Sequence, residues 1–480
     1  MALRSQRVSV PNPCFLNLSD NFDRNYIGED AIRVAFAPFS QRLGYLFVGI
    51  FDGHNGPHTA NVLVENLFGA VIGRLADLYS TYARNNRTVD VASGVLLSIE
   101  PGAPPDPVPS DEDIDLAISK AFVNFDDFLV HESARLVLGL NDADYAALQN
   151  NNSPDQAHAA HPRRYETPLE TAVRALSGAH AGSCALVGLF NNADRSLRVA
   201  LTGDSRAVFG RRVLTTAADG TQSYKYAVHA LSADQNAKNA EEAARLSAQH
   251  PNEPELLKGN RVVGWGCARA FGDGAMKWSL AVQERLHAEV LGDRPRAACK
   301  TPPYFTAEPV ITTKKDVQRG DFAVFGSDGL WDCLTNEEVV GLVGQWLDDH
   351  GWPENVQGQD GKTYEVRIPN NPQDRKASIP SQLSSDQSSQ RHLPRNPFKT
   401  YAPEDLPVVY PETYEDNTTM YKYWRRQKRF VVEDENVAAH LGRNAFGGYN
   451  RHLTEALLAM SAPRARKFKD DISIVVVFFD

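Results

Sequence analysis

The chain has 480 residues, 42% of them hydrophobic and 23% charged, with a formal net charge of −10; this is the make-up of a globular protein long enough for one large domain or two ordinary ones. The acidic balance argues against nucleic acid as a main partner, since phosphate backbones need a basic face, and no apolar run approaches the roughly 20 residues of a membrane helix. Five cysteines (Cys14, Cys184, Cys267, Cys299 and Cys333), scattered and without CxxC spacing, exclude a disulfide framework or thiolate zinc site and point to a reducing compartment.

In chain order, Arg4, Ser5, Arg7 and Ser9 precede the first acid, Asp20. That is a faint likeness to the end of a transit peptide, with a frayed terminus as the plainer reading. Glu29 and Asp30 stand just before a candidate first strand. "LGYLFVGIFD" (43–52) reads as a buried strand, and helical periodicity follows over 57–83. Residues 84–112, closing on "SIEPGAPPDPVPSDE", form a Pro-rich acidic insertion. Helices are expected over 112–134 and 166–178, separated by a polar insertion at 139–165 expected to be a loop. Strands follow at 183–190, 196–211 (one or two), 225–232 and 321–329, a helix over 336–348, and a third insertion at 351–420. That insertion is rich in Ser, Gln and Pro and poor in apolar residues, so disorder is expected through most of it. Helices over 436–446 and near 450–460 and a strand at 472–479 complete the chain. The strands cluster instead of alternating strictly with helices, which favours antiparallel sheets with helices packed outside. The expectation is one α+β domain over 20–480, decorated by the insertions, without internal repeats.

Carboxylates recur where apolar runs end. Asp52 follows "YLFVGIF", Asp204 follows "RVALTG", and Asp328 follows "FAVFGS" with Asp332 four residues on; Asp470 and Asp471 open the last strand, as Glu29 and Asp30 precede the first. Any one of these is more often a turn or cap, because Asp and Gly are turn residues. Five such ends from distant parts of the chain converge stably only around cations, and an all-oxygen donor set suits Mg2+ or Mn2+. Zinc fits poorly, because the thirteen histidines show no HExxH or paired pattern.

"FDGHNG", "TGDSRAV", "SDGLWD" and "KDDISIVVVFF", in that order, with the upstream "ED" pair and "LSADQNAKN", resemble the metal-dependent serine/threonine protein phosphatases of the 2C type. The resemblance covers nearly all of the chain outside the insertions. It implies a four-layer α-β-β-α sandwich with a metal centre at one end. Asp52 would bridge two metals, Asp328 and Asp470 would complete one, and Glu29 with the carbonyl of Gly53 would serve the other. Asp204 and Asp332 would hold a third ion seen in parts of the family. The two main ions, about 4 Å apart, would activate a water for attack on phosphorus. His54 would be the general acid for the leaving serine or threonine oxygen, with capping of its turn as the plainer alternative. Asp30 would orient His54 or a metal-bound water, and Asp471 would be a supporting or solvent-facing residue.

One departure stands out. Many members of the family have a phosphate-clamping Arg four residues before the Glu of the "ED" pair; here that position is Asn25, with Arg24 beside it. An amide cannot replace a bidentate guanidinium, so Arg24 or another group would bind phosphate. The Asn resembles the mitochondrial pyruvate dehydrogenase phosphatases, as do "LSADQNAKNAEEAARLSAQHP", "CARAFGDGAMKWSLAVQERL", "TPPYFTAEPVIT" and "NVAAHLGRNAFGG". That branch implies a phosphoprotein substrate, the pyruvate dehydrogenase α-subunit, and the mitochondrial matrix. The alternatives are a 2C-type phosphatase of cytosolic or nuclear stress signalling and a catalytically silent phosphatase-like binding module.

Three further features remain to be placed. "RAFGDGAMKW" (269–278) places Arg269, Asp273 and Lys277 either in a solvated loop or along a substrate groove. "YKYWRRQKRF" (421–430) is a solvated helix face, a docking surface for an acidic partner or a targeting element. Trp265, Trp331 and the Cys333 thiol are expected to pack in the core.

Overall fold

A computed structural model describes residues 5–9, 14–19, 29–38, 44–85, 108–153, 168–216, 219–220, 222–357, 363–368, 399–461 and 463–480. Arg24 and Asn25, and the insertion stretches 86–107, 154–167 and 369–398, lie outside the described residues.

Two antiparallel sheets form the centre. One runs, across its width, Ser5–Ser9, Cys14–Ser19, Ile474–Phe479, Phe322–Gly326, Arg206–Thr216 and Gln222–Ala230. The other runs Val310–Lys314, Ser196–Thr202, Ala185–Asn191, Gly44–Phe51 and Ala31–Pro38. The unbroken apolar runs follow from burial on both faces, because alternate side chains of a strand point to opposite sides. Leu46, Val48 and Ile50 meet Phe209, Phe325, Val475 and Val477 between the sheets. Their neighbours Tyr45, Phe47 and Phe51 face outward onto Leu63, Leu67, Ile118 and Phe122 of the helices His58–Asn85 and Asp111–Asp127. On the opposite side Phe322, Val324, Val476 and Phe478 pack on Val339, Val343, Trp346 and Leu441 of the helices Asn336–His350 and Val437–Ala445. The result is the four-layer α-β-β-α sandwich.

Several expectations change in detail. Cys14–Ser19 is no frayed end: it pairs with the last strand, Ser19 opposite Ile474, so the sheet begins upstream of residue 20. The stretch 139–165 was expected to be a loop, yet Asp142–Gln149 is helical, capped by Asn141. Its Tyr145 and Leu148, three apart on one helix face, are buried with Val282 and Leu286. Inside 351–420, Trp352–Gln357 pairs with Thr363–Ile368. Residues Tyr401, Leu406 and Val408 are core neighbours of the helix Asn336–His350, so the disorder expected there does not extend to this part.

The register explains why the acids meet. Ala31 pairs with Phe51, Ile50 with Leu186, and Ala185 with Thr202, so the start of one strand lies beside the end of the next. In the other sheet Gly326 lies opposite both Ile474 and Arg206. Residues that precede one strand and follow its neighbour therefore gather at one end of the sandwich.

Candidate active site

Asp52, Glu29, Asp30, Asp204, Asp328 and Asp470 all emerge at that end. The two sheets meet there through the amide of Asp328, which donates to Asp52 Oδ2 at 3.5 Å, while within the six-stranded sheet the amide of Ser327 donates to the Ser473 carbonyl at 3.1 Å. The Glu29 amide donates to Asp471 Oδ2 at 3.2 Å, which gives Asp471 a supporting part at the base of the site. A Cβ on Gly53 would stand 2.3 Å from the Glu29 carbonyl oxygen, so only glycine lets these two backbones approach. Glu29 also accepts from the Gly56 amide at 2.9 Å and pairs with Arg466.

The electrostatics are those of a cluster in which burial and neighbouring carboxylates dominate. Burial, then Asp30, Asp328, Asp470 and Asp204, push the Asp52 carboxyl well above its ordinary range. Burial, then Asp470, Asp204, Asp332 and Asp30, do the same to Asp328. Asp30 is pushed up to about 7 by burial and Asp471, with Ser473 and Ser327 drawing it partly back, and its buried Oδ2 has no hydrogen-bond partner among the described residues. Burial raises Asp204 and Asp332 too. The largest influences on Asp52 and Asp328 all oppose ionisation, and no cationic side chain stands among them. In charge and donor chemistry the cluster fits divalent cations. Among the described residues, however, no group of three or more His, Cys, Asp or Glu side chains stands in a closed ligand geometry; mutual repulsion without a counter-ion is the physical reason to expect that. Asp204, Asp328 and Asp332 line one cavity of about 730 Å3, with Asp234, Lys238 and Thr419.

The histidine's partner is not Asp30. His54 Nε2 lies 2.6 Å from Asp273 Oδ2, with the His54 side chain 24% exposed and that of Asp273 fully buried. Burial pushes the imidazole down, but the Asp273 charge and hydrogen bond outweigh it and lift His54 to about 9. Asp273 sits in the left-handed region, φ 49°. Gly182 admits the pair: a Cβ there would come within 2.1 Å of His54 Nε2 and 2.4 Å of Asp273 Oδ2. The short strands Gly53–His54, Gly182–Ser183 and Phe271–Gly272 form a third, three-stranded sheet that sets these positions.

Of the three groove candidates in 269–278, only Asp273 reaches the site. Lys277 is buried against Asp126 (2.6 Å) and Arg269 against Glu242 (2.6 Å). Trp265, expected in the core, is half-buried and stands edge-on to His54 with ring centroids 5.6 Å apart. Trp331 and Cys333 are buried as expected.

Comparison with known proteins adds an independent line. The family described as protein phosphatase 2C matches residues 119–359. A Saccharomyces cerevisiae protein named pyruvate dehydrogenase (acetyl-transferring) phosphatase 1, mitochondrial, is 31% identical over 445 residues, 90% of this chain and 62% of that protein. A protein phosphatase 2C homologue of Schizosaccharomyces pombe is 31% identical over 438 residues, 91% of this chain and 74% of its own length. The Rattus norvegicus protein with the same name as the budding-yeast one is 27% identical over 483 residues, 96% of this chain and 77% of its own. The chain thus spans under two thirds of the budding-yeast relative.

Proposed function

This chain belongs to the protein phosphatase 2C family, and we propose that it is a protein serine/threonine phosphatase dependent on Mg2+ or Mn2+ that acts on the phosphorylated pyruvate dehydrogenase α-subunit in the mitochondrial matrix. The observation that carries the chemistry is the meeting of Asp52 and Asp328 across the two sheets, the Asp328 amide 3.5 Å from Asp52 Oδ2, with burial and neighbouring carboxylates the largest influences on both side chains. The names and coverage of the yeast and rat relatives support the substrate and the compartment.

Asp52, Asp328, Asp470, Glu29 and the Gly53 carbonyl would hold two ions, and Asp204 with Asp332 a weaker third. Such cations, when bound, acidify an attacking water and neutralise charge building on the phosphoryl group. Asp30, enclosed by Ser327 and Ser473, faces the same cluster and orients what enters it. His54 does the proton work. With Nε2 committed to Asp273, its charged form carries a second proton at Nδ1 to give to the leaving serine or threonine oxygen. Asp273 fixes the ring and keeps it protonated at neutral pH. For phosphate, Arg24 and Asn25 are the candidates.

Phosphate release is measured from phosphorylated pyruvate dehydrogenase α-subunit and from an unrelated phosphothreonine peptide, with Mg2+, with Mn2+ and with EDTA, for the native protein and Asp328→Asn. Metal-dependent release favouring the dehydrogenase, lost with EDTA and in the variant, is the expected result. Release from the peptide alone would overturn the substrate, and release that survives both EDTA and Asp328→Asn would overturn the chemistry.

A further inference from the structure

The run "YKYWRRQKRF" (421–430) contains five basic residues and no acid in a chain of net charge −10. In the structure it begins in the short helix Met420–Tyr423 and ends at Phe430, which exchanges backbone hydrogen bonds with Tyr401 at 2.8 and 2.9 Å. Lys422, Arg426, Lys428 and Arg429 line a cavity of about 360 Å3, shared with Glu404 and Asp416. Two of these charges are already met: Lys428 Nζ is buried on Glu338 at 2.6 Å and on Asp416 at 3.1 Å, which also satisfies Asp416. Lys422 Nζ donates to the Asp416 carbonyl at 2.5 Å, a contact that leaves its positive charge uncompensated.

Arg425, Arg426 and Arg429 are exposed and make no ion pair with a carboxylate among the described residues. Several arginines elsewhere are held by a carboxylate: Arg206 by Asp234, Arg211 by Asp321, Arg269 by Glu242 and Arg443 by Asp434. The position of this cavity matters as much as its charge. Asp416 lines it, while Asn417 and Thr419 line the cavity of Asp204, Asp328 and Asp332. The wall is fastened to the acid site directly, because the amides of Thr419 and Met420 both donate to the Asp332 carbonyl at 3.0 Å. An acid-lined cavity and a basic one thus share a single stretch of backbone.

We propose that this basic cavity docks an acidic segment of the phosphoprotein substrate flanking the residue to be dephosphorylated, an inference that rests on the phosphatase reading above. Opposite charges at the rim accelerate encounter and fix register, and planar guanidinium groups suit carboxylates. The neighbouring chain segment 369–398 is a poor occupant, since Asp374 and Asp386 are outnumbered by Arg375, Lys376, Arg391 and Arg395.

The test compares two phosphothreonine peptides, one flanked by acidic residues and one by serines, with the full chain and its double variant Arg426→Glu, Arg429→Glu. In the native protein the acid-flanked peptide should show about a tenfold lower KM at similar kcat, a preference that fades as ionic strength rises. The variant should lose that preference through KM, leaving the serine-flanked peptide unaffected. Equal KM values for the two peptides in the native protein, or a preference unchanged in the variant, would overturn the proposal. Fluorescence anisotropy of the unphosphorylated acidic peptide separates docking from catalysis. Binding by the native protein but not by the variant, with neither phosphopeptide turned over, would uphold the surface while the phosphatase reading fails. Absence of binding would overturn the surface, as would binding to phosphatidylserine vesicles without discrimination between the peptides.

Discussion

A methyl group at residue 182 is the smallest change that separates His54 from Asp273, because it would enter the space between Nε2 and the carboxylate. Gly182→Ala should therefore lower kcat steeply, and Asp273→Asn should do so while leaving the geometry nearly intact. General-acid assistance is worth roughly 10²–10⁴-fold. The loss in Asp273→Asn should lie in that range for phosphoserine, whose alkoxide needs a proton, and be much smaller for p-nitrophenyl phosphate, whose leaving group does not. Parallel rates on the two esters check this, and equal losses would return His54 to a turn-capping role. The histidine was legible from its place beside Asp52, but its partner was not. The two residues are 219 positions apart, and "FGDG" offers no periodicity that distinguishes a site residue from a loop. For Asp30, orienting either His54 or a metal-bound water was open in the sequence, and it is turned toward Ser327, Ser473 and Asp471.

The elements that hold Asp273 are pinned by a buried ion pair. Lys277 Nζ donates to Asp126 Oδ2 at 2.6 Å and to the Ala270 carbonyl at 2.7 Å, while Asp126 Oδ1 accepts from the Gly272 amide at 2.9 Å. The helix Asp111–Asp127 is thereby fastened to the turn that carries Asp273. Removing one partner of such a pair leaves a buried charge and costs about 3–5 kcal/mol. Lys277→Met should lower the denaturation midpoint accordingly, with Asp126→Asn in the same chain recovering part of the loss; a midpoint unchanged in Lys277→Met would show that the pair is dispensable. The same scale explains which elements could be read in advance. Gly44–Phe51 and Ile474–Phe479 are apolar on both faces and announce themselves as continuous runs. Ala240–Gln249 buries only Glu242 and Leu246, so it carries no apolar stripe, and Glu242 is inside only because Arg245 and Arg269 satisfy it.

For the whole molecule, the sandwich closes on a repulsive end. Five strand ends deliver carboxylates to one edge, and the order of the motifs made that edge legible, whereas the absence of a closed ligand geometry among the described residues was not, because sequence records donors and not their spacing in space. The fold therefore holds Asp52 and Asp328 against their own charge, and stability and function should pull in opposite directions here. Asp328→Asn, which removes one charge from the cluster, should raise the stability of the cation-free protein by about 1 kcal/mol while ending turnover. Adding Mg2+ or Mn2+ should reverse the ranking. A cation at a hundredfold excess over its Kd stabilises the native state by roughly 2.7 kcal/mol, and the native chain, with its full set of acids, should gain more of this than the variant. Thermal melts of both proteins in EDTA and in each cation measure the four states directly. Equal gains in the two proteins would mean that Asp328 does not hold the ion. A cation-free Asp328→Asn less stable than the native chain would mean that Asp328 contributes more through the contact between its amide and Asp52 than its charge costs.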